Sequence, residues 1–195
     1  MFNKRRNGLS FKTEKKTLKP GRILVLVKWV AGIVICLALS YFAVFFFGFR
    51  TLIIGNAMSP TLEASDSVLV NRLAYIISEP SRMQVVAFLP KSNSRSNYYI
   101  RRIVAIPGDT ILISDGFCYV NGEVIELPGK GDEITVAGLA SEEITLGEDE
   151  YFVIGDAPNS SEDSRHSGIG MVSKDEMLGV VWFVISPLDR IDTVK

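Results

Sequence analysis

The sequence is poor in the residues on which most site chemistry depends. Its 195 residues include 2 cysteines and 1 histidine. Cys36 lies inside a long apolar run and Cys118 stands alone far downstream, so no intramolecular disulfide staples the downstream part. The lone histidine, His166, has no cysteine or carboxylate cluster beside it to make a metal set. Its closeness in sequence to Asp163 is poor ground for a Ser-His-Asp triad. No metal and no cofactor is therefore expected. Repeats of solenoid type are missing as well. Charge is absent altogether between Trp29 and Phe49, and this last absence organises the chain.

The uncharged run, WVAGIVICLALSYFAVFFFGF, has about the length needed to cross a hydrocarbon core of roughly 30 Å. It predicts a transmembrane anchor over 29–49, with Trp29 and the Phe45, Phe46, Phe47 cluster suited to the two interfaces. A cleaved signal peptide fits poorly, because the run exceeds the usual signal core of about 7–15 residues and no small-x-small site follows before Arg50. Before the run, residues 1–28 carry Lys4, Arg5, Arg6, Lys12, Lys15, Lys16, Lys19, Arg22 and Lys28 against the single acid Glu14. The remainder is acidic, so a net charge of −1 conceals a basic tail on an acidic body. By the positive-inside rule residues 1–28 are a cytoplasmic tail and 51–195 lie outside the plasma membrane, in a single-pass arrangement. Beside a span, a basic tail serves orientation and anionic lipid, so no nucleic-acid partner is expected.

From Leu52 onward, short runs such as SVLVNRLAYI, QVVAFL, YYIRRIVAIPGDTILIS, EYFVIGD and GVVWFVIS alternate with turn residues. β-Branched and aromatic side chains dominate them, which predicts strands and a mostly antiparallel β domain behind one N-terminal helix. Asn121-Gly122 predicts a type I′ hairpin and Pro107-Gly108-Asp109 a sharp bend. Beyond the anchor the only helical signal is a short turn near Lys174 to Leu178. Residues 128–150, rich in Gly, Glu and Asp, are expected to be loops of a less compact subdomain.

Three stretches then stand in a fixed order: GNAMSPTL, YIRRIVAIPGD, and GDAPNSSEDSRHSGIG followed by GVVWFVISPL. Together they resemble bacterial type I signal peptidase, whose signatures run roughly G-x-S-M-x-P-T-L, Y-I-K-R-x-x-x-x-P-G-D and G-D-N-x-x-x-S-x-D-S-R-x-x-G. The likeness extends from about residue 29 to the end. It implies a signal peptidase-like fold of two β subdomains, the second inserted at about 110–150, and a Ser/Lys dyad that removes signal peptides outside the membrane.

The dyad is where this chain departs from the pattern. The nucleophile of the pattern precedes Met, and here Ala57 precedes Met58. The general base falls on Arg101, with Arg102 matching the pattern's own arginine. A serine-lysine mechanism needs an amine that can be neutral near pH 7, and a guanidinium stays protonated. Both reagents are gone, so inactivity is expected. The supporting residues persist: Ser161, Asp163, Ser164 and Arg165 match S-x-D-S-R, and Gly55 falls at an oxyanion-hole position with the Ala57 N–H as a remaining donor. Ala157-Pro158 replace the usual Asn-Arg. Ser59 stands two residues from the nucleophile position, a displacement of roughly 6–7 Å along a strand, and reads as a turn serine.

The same correspondence places Ile53, Met58, Leu62, Val68, Tyr99 and Ile100 around shallow pockets for small side chains of an extended peptide. A peptide added as an extra strand needs no dyad. The expectation is thus an inactive signal peptidase homologue that binds or organises exported polypeptides or signal peptides. Some family members without the dyad are associated with pilus assembly beside sortases, and this resemblance makes pilin subunits and a sortase candidate partners. The rival expectation is an active peptidase, through an unrecognised nucleophile or because Ala57 and Arg101 were introduced. Ala157-Pro158 weigh against the latter, since silencing a dyad does not call for them.

Overall fold

A computed structural model describes residues 20–47, 49–91, 98–129 and 133–194. The first 19 residues of the expected basic tail lie outside the described residues. The chain divides into two compact units, Met1–Tyr41 and Phe42–Lys195.

In the first unit and running into the second is helix α1 (Pro20–Phe47). It begins nine residues before the uncharged run and takes in Arg22 and Lys28. Proline is favoured in the first turn, where its missing N–H costs nothing, and the long stems of Arg and Lys are compatible with an apolar helix end. Side chains all round α1 are exposed, Leu24, Trp29, Val34 and Leu39 among them. An apolar helix with exposed side chains needs an apolar surrounding, and Gly21–Phe47 is long and apolar enough to cross a membrane.

Among the described residues of the second unit there are eleven strands and one short helix. They are β1 (Phe49–Leu52), β2 (Ser67–Asn71), α2 (Ala74–Ile77), β3 (Val85–Phe88), β4 (Tyr99–Ala105), β5 (Thr110–Ser114), β6 (Phe117–Val120), β7 (Glu123–Ile125), β8 (Ile144–Thr145), β9 (Phe152–Ile154), β10 (Met177–Ser186) and β11 (Asp192–Thr193). Every strand pairing is antiparallel. One sheet runs β1-β2-β10-β3-β4-β9 with β11 added on β10, and a second runs β7-β6-β5-β8. The antiparallel β architecture anticipated from the strand-like runs is present, with its two sheets.

Side-chain alternation along β3 explains the core. Val85 and Ala87 join Met58, Leu62, Val68 and Ile100 in one apolar cluster, whereas Val86 and Phe88 join Ile103, Tyr151 and Val153 in another. The first sheet is therefore covered on both faces at this strand, and full burial of Phe88 contributes about 1.5–3 kcal/mol. Strand β5 buries only alternate residues, Ile111 and Ile113, which pack with Val104, Phe152 and Ile154 of the first sheet. Within 133–150, Ile134, Ala140 and Leu146 are buried in that cluster.

The turns follow their chemistry. Asn121-Gly122 has positive φ at both residues, 54° and 80°, as the type I′ hairpin between β6 and β7 requires. Asp115-Gly116 makes the same turn between β5 and β6. The expected turn after Ser173 is a 3-10 turn, Lys174–Glu176, with a Ser173/Glu176 capping box. Asp109 braces the Pro107-Gly108-Asp109 bend: its carboxylate accepts from Ile106 N–H at 2.9 Å, Arg82 Nε at 2.8 Å and Asn121 Nδ2 at 3.0 Å.

Burial pushes the Asp109 carboxyl up, but the Arg82 guanidinium, the Ile106 N–H and the Asn121 amide outweigh it and hold the carboxyl below the usual carboxylate range. A depressed carboxyl adds stability that is complete above its unfolded pKa and lost as pH falls through the folded one. Thermal melts of the full chain in detergent micelles should therefore show Asp109→Asn less stable at neutral pH, with the gap to wild type closing on acidification. A gap that does not change with pH contradicts this account of the bend.

Candidate functional site

Three chain segments meet at one place: the loop Gly55–Leu62, strand β4, and the segment Gly155–Arg165. The loop is fixed by its own backbone, with Ser59 N–H donating to Asn56 O at 3.0 Å and Leu62 N–H to Met58 O at 2.8 Å. Gly55 has φ +80°, a conformation that other residues rarely adopt. Antiparallel register sets Arg101 opposite Val86 and Arg102 opposite Val85.

A buried ion pair locks the three segments together. Arg102 donates from Nε to Asp156 Oδ1 at 2.7 Å and from Nη2 to Asp156 Oδ2 at 2.6 Å. The Thr61 hydroxyl donates to the same Asp156 oxygen, and Arg102 Nη1 reaches Met83 O at 2.7 Å. Both charged side chains are essentially inaccessible to solvent. The bidentate fork satisfies the planar guanidinium in a way an ammonium cannot.

A second buried pair shapes the third segment. Asp163 accepts from Arg165 Nε and Nη2, each at 2.8 Å, and from the Gly155 N–H at 3.2 Å. Arg165 also donates to Val136 O and Pro158 O. Ser164 is tied to Val153 through both backbone and hydroxyl. Gly155 is required sterically: a Cβ there would sit 2.4 Å from both Ala57 O and Ser161 Oγ. That closeness draws Ala57 into place, and Ala157 N–H donates to Ala57 O at 3.0 Å.

The meeting point carries a cleft of about 390 Å³. Ala57 and Arg101 both line it, with Gly55, Ile53, Met58, Tyr99 and Ile100. Leu62 and Val68, grouped with these on the sequence, do not line the cleft; both are fully buried in the apolar cluster that also holds Met58 and Ile100. Ser161, Asp163, Ser164 and Arg165 stand behind the lining as a buried support. Ser59 is half-buried in its turn and not part of the lining, and His166 is exposed, with its backbone N–H on Asp163 O. The structure adds Leu52, Ile54, Asn56, Tyr98, Ser160 and Glu162 to the walls. Most of these flank residues already singled out, and adjacency to the motifs was their only sequence signal.

Arg101 is held by neutral groups. Its Nε donates to Glu162 O at 2.8 Å and its Nη1 to Ile100 O at 2.6 Å, with the guanidinium carbon 5.5 Å from the Tyr99 ring centre. Burial lowers its pKa, and the Asp163 carboxylate partly opposes that, yet a guanidinium remains protonated. The Ser161 hydroxyl, buried one residue before Glu162, has no hydrogen-bond partner among the described residues. Among the described residues no group of three His, Cys, Asp or Glu side chains is arranged to hold a metal ion.

Comparison with known proteins bears on this arrangement. Residues 26–186 match a family model described as signal peptidase, peptidase S26. The chain is 30% identical over 193 residues to signal peptidase I of Bacillus amyloliquefaciens, covering 94% of this chain and 100% of that protein. It is 29% identical over 192 residues to signal peptidase I U of Bacillus subtilis (strain 168), covering 94% of this chain and 97% of that one. A crystal structure of a signal peptidase I from Enterococcus faecalis V583 is 26% identical, covering 53% of this chain and 97% of that chain, with a TM-score of 0.43.

Two substitutions separate the roles of the buried polar groups. Asp156→Asn takes the counter-charge from the buried Arg102 guanidinium, and should lower stability by about 3–5 kcal/mol in denaturant titrations of the full chain. Ser161→Ala removes a buried hydroxyl with no partner among the described residues and should leave stability unchanged or raise it by up to about 2 kcal/mol. A large loss at Ser161 would show that its hydroxyl is engaged.

Proposed function

The chain belongs to the signal peptidase S26 family, and from that premise we propose that it is a membrane-anchored member without peptidase activity that holds extended segments of exported polypeptides. The observation that carries this is the content of the cleft where the family pattern places its reagents. Ala57 offers a methyl group in place of a hydroxyl, and Arg101 offers a guanidinium pinned by two backbone carbonyls in place of a tunable amine. An arginine cannot take up a proton at neutral pH, so Arg101 cannot serve even a displaced hydroxyl as base. The unpartnered Ser161 Oγ fits the same reading, because the family pattern gives that hydroxyl a lysine amine to orient.

What remains supports binding. The lining combines apolar side chains with unspent backbone donors, and an extended segment laid along such a wall gains main-chain hydrogen bonds without any covalent step. The substrates of the family carry signal peptides and reach it at a membrane, which α1 suits by length and composition. Residues 1–28 are then the cytoplasmic tail, 29–49 the anchor and 51–195 the extracytoplasmic domain, with the second sheet as its inserted part. Pilin subunits handled beside a sortase are the finer assignment, and it rests on resemblance to dyad-less members of the family.

Restoring the chemistry tests the proposal. Full-length wild type and the double variant Ala57→Ser with Arg101→Lys, in detergent micelles, are given a preprotein with an Ala-x-Ala site. The double variant should cleave at least about a hundredfold faster than wild type, and either single variant should stay inert because nucleophile and base act as a unit. Cleavage by wild type would overturn the non-catalytic reading. No cleavage by any form would show that the cleft no longer presents a peptide to positions 57 and 101, and would withdraw the peptide-holding role.

A further inference from the structure

The cleft contains a cation that the fold leaves without a counter-ion. Arg101 is 8% exposed, yet among the described residues no carboxylate oxygen lies within salt-bridge distance of it. Arg82, Arg102, Arg165 and Arg190 each have such a partner. Asp163, the nearest acid to influence Arg101, has both oxygens engaged by Arg165. Nε and Nη1 of Arg101 are spent on carbonyls, and its Nη2 has no partner among the described residues. Holding a charge out of water with only neutral partners is costly, and an anion arriving in the cleft relieves that cost.

A second unspent donor lines the same cleft. The Ala57 N–H makes no backbone hydrogen bond among the described residues, while the Ala57 carbonyl is occupied by Ala157. Guanidinium and N–H together suit a group with two acceptor oxygens and one negative charge. The surrounding walls, Ile53, Met58, Tyr99 and Ile100, suit the apolar side chains that lead up to it. A peptide carbonyl in mid-chain is neutral and would leave the Arg101 charge unanswered.

We propose that the cleft selects peptides that end in it: an extended apolar segment whose C-terminal carboxylate rests on Arg101 Nη2 and the Ala57 N–H. The ligand class is then the cut product of a peptidase rather than the uncut precursor. This rests on the peptide-holding cleft proposed above and adds the chemistry of the ligand's end. Glu162 is the one acid in the lining; it is exposed, and its charge opposes the ligand's only weakly through solvent.

The test uses the full chain in detergent micelles and dye-labelled hexapeptides ending in Ala-Leu-Ala, with binding read by fluorescence anisotropy. One peptide has a free terminal acid, one a terminal amide, and one a terminal amide with aspartate as its last residue. The free acid should bind at least about tenfold tighter than either amide, as charge-assisted hydrogen bonds imply. Arg101→Gln should abolish that preference and Arg101→Lys should keep part of it, with melting curves confirming that each variant is folded. Glu162→Gln, at an exposed position, should tighten binding of the acid alone by about twofold. Equal binding of acid and plain amide would overturn the carboxylate assignment while leaving the peptide cleft standing. Equal binding of the aspartate amide would overturn the terminal assignment, a preference that survives Arg101→Gln would overturn the role of Arg101, and no binding of any peptide would remove the cleft reading itself.

Discussion

The Arg102–Asp156 pair is the constraint on which the rest of the site depends. One acid from the third motif, one arginine from the second and the Thr61 hydroxyl from the first converge at a point that solvent does not reach. Sequence separations of 54 and 95 residues are closed at that point. Burying two charges is expensive, and the cost is recovered only because the fork geometry spends both carboxylate oxygens and Met83 O takes a further guanidinium proton. A pair under such demands tolerates little displacement, so it fixes where the Ala57 loop, β4 and the Gly155 segment stand relative to one another.

Adjacent arginines on β4 illustrate the division between frame and reagent. Arg102 answers a buried carboxylate and holds the frame, whereas its neighbour Arg101 faces the cleft and hydrogen-bonds two carbonyls. The frame surrounds a cleft whose lining includes Ala57 and Arg101. Asp163 with Arg165 still shapes the segment behind the cleft, Gly155 still admits the Ala57 carbonyl, and Ser161 still presents a buried hydroxyl, now without a partner. Such a frame around a methyl group and a guanidinium is the basis of the proposal that the chain holds a peptide rather than cutting it.

Much of this was legible in the sequence, for reasons that can be named. The three motifs in order located the loop, β4 and the support segment, because each motif contains residues whose side chains reach the other two. Strand runs rich in β-branched residues gave the antiparallel sheets, and Asn121-Gly122 gave its hairpin because few other pairs accept positive φ twice. Asp115-Gly116 carried the same signal one hairpin earlier. What the sequence could not separate was lining from core: Leu62 and Val68 share the apolar character and the burial of Met58 and Ile100, and only the packing keeps the first two out of the cleft wall. The composition of 133–150 also gave no sign that Ile134, Ala140 and Leu146 are buried in the shared core. The carbonyl partners of Arg101 are long-range or backbone features with no sequence signature.

The central claim is that the cleft at Ala57 and Arg101 holds a peptide and leaves it whole. Hydrogen exchange followed by mass spectrometry, on the full chain in lipid nanodiscs with and without an extended apolar peptide, addresses both halves at once. Slowed exchange confined to residues 52–58 and 98–101, with the peptide recovered at its original mass, is the predicted result. Protection elsewhere on the domain, or recovery of the peptide as fragments, would contradict it.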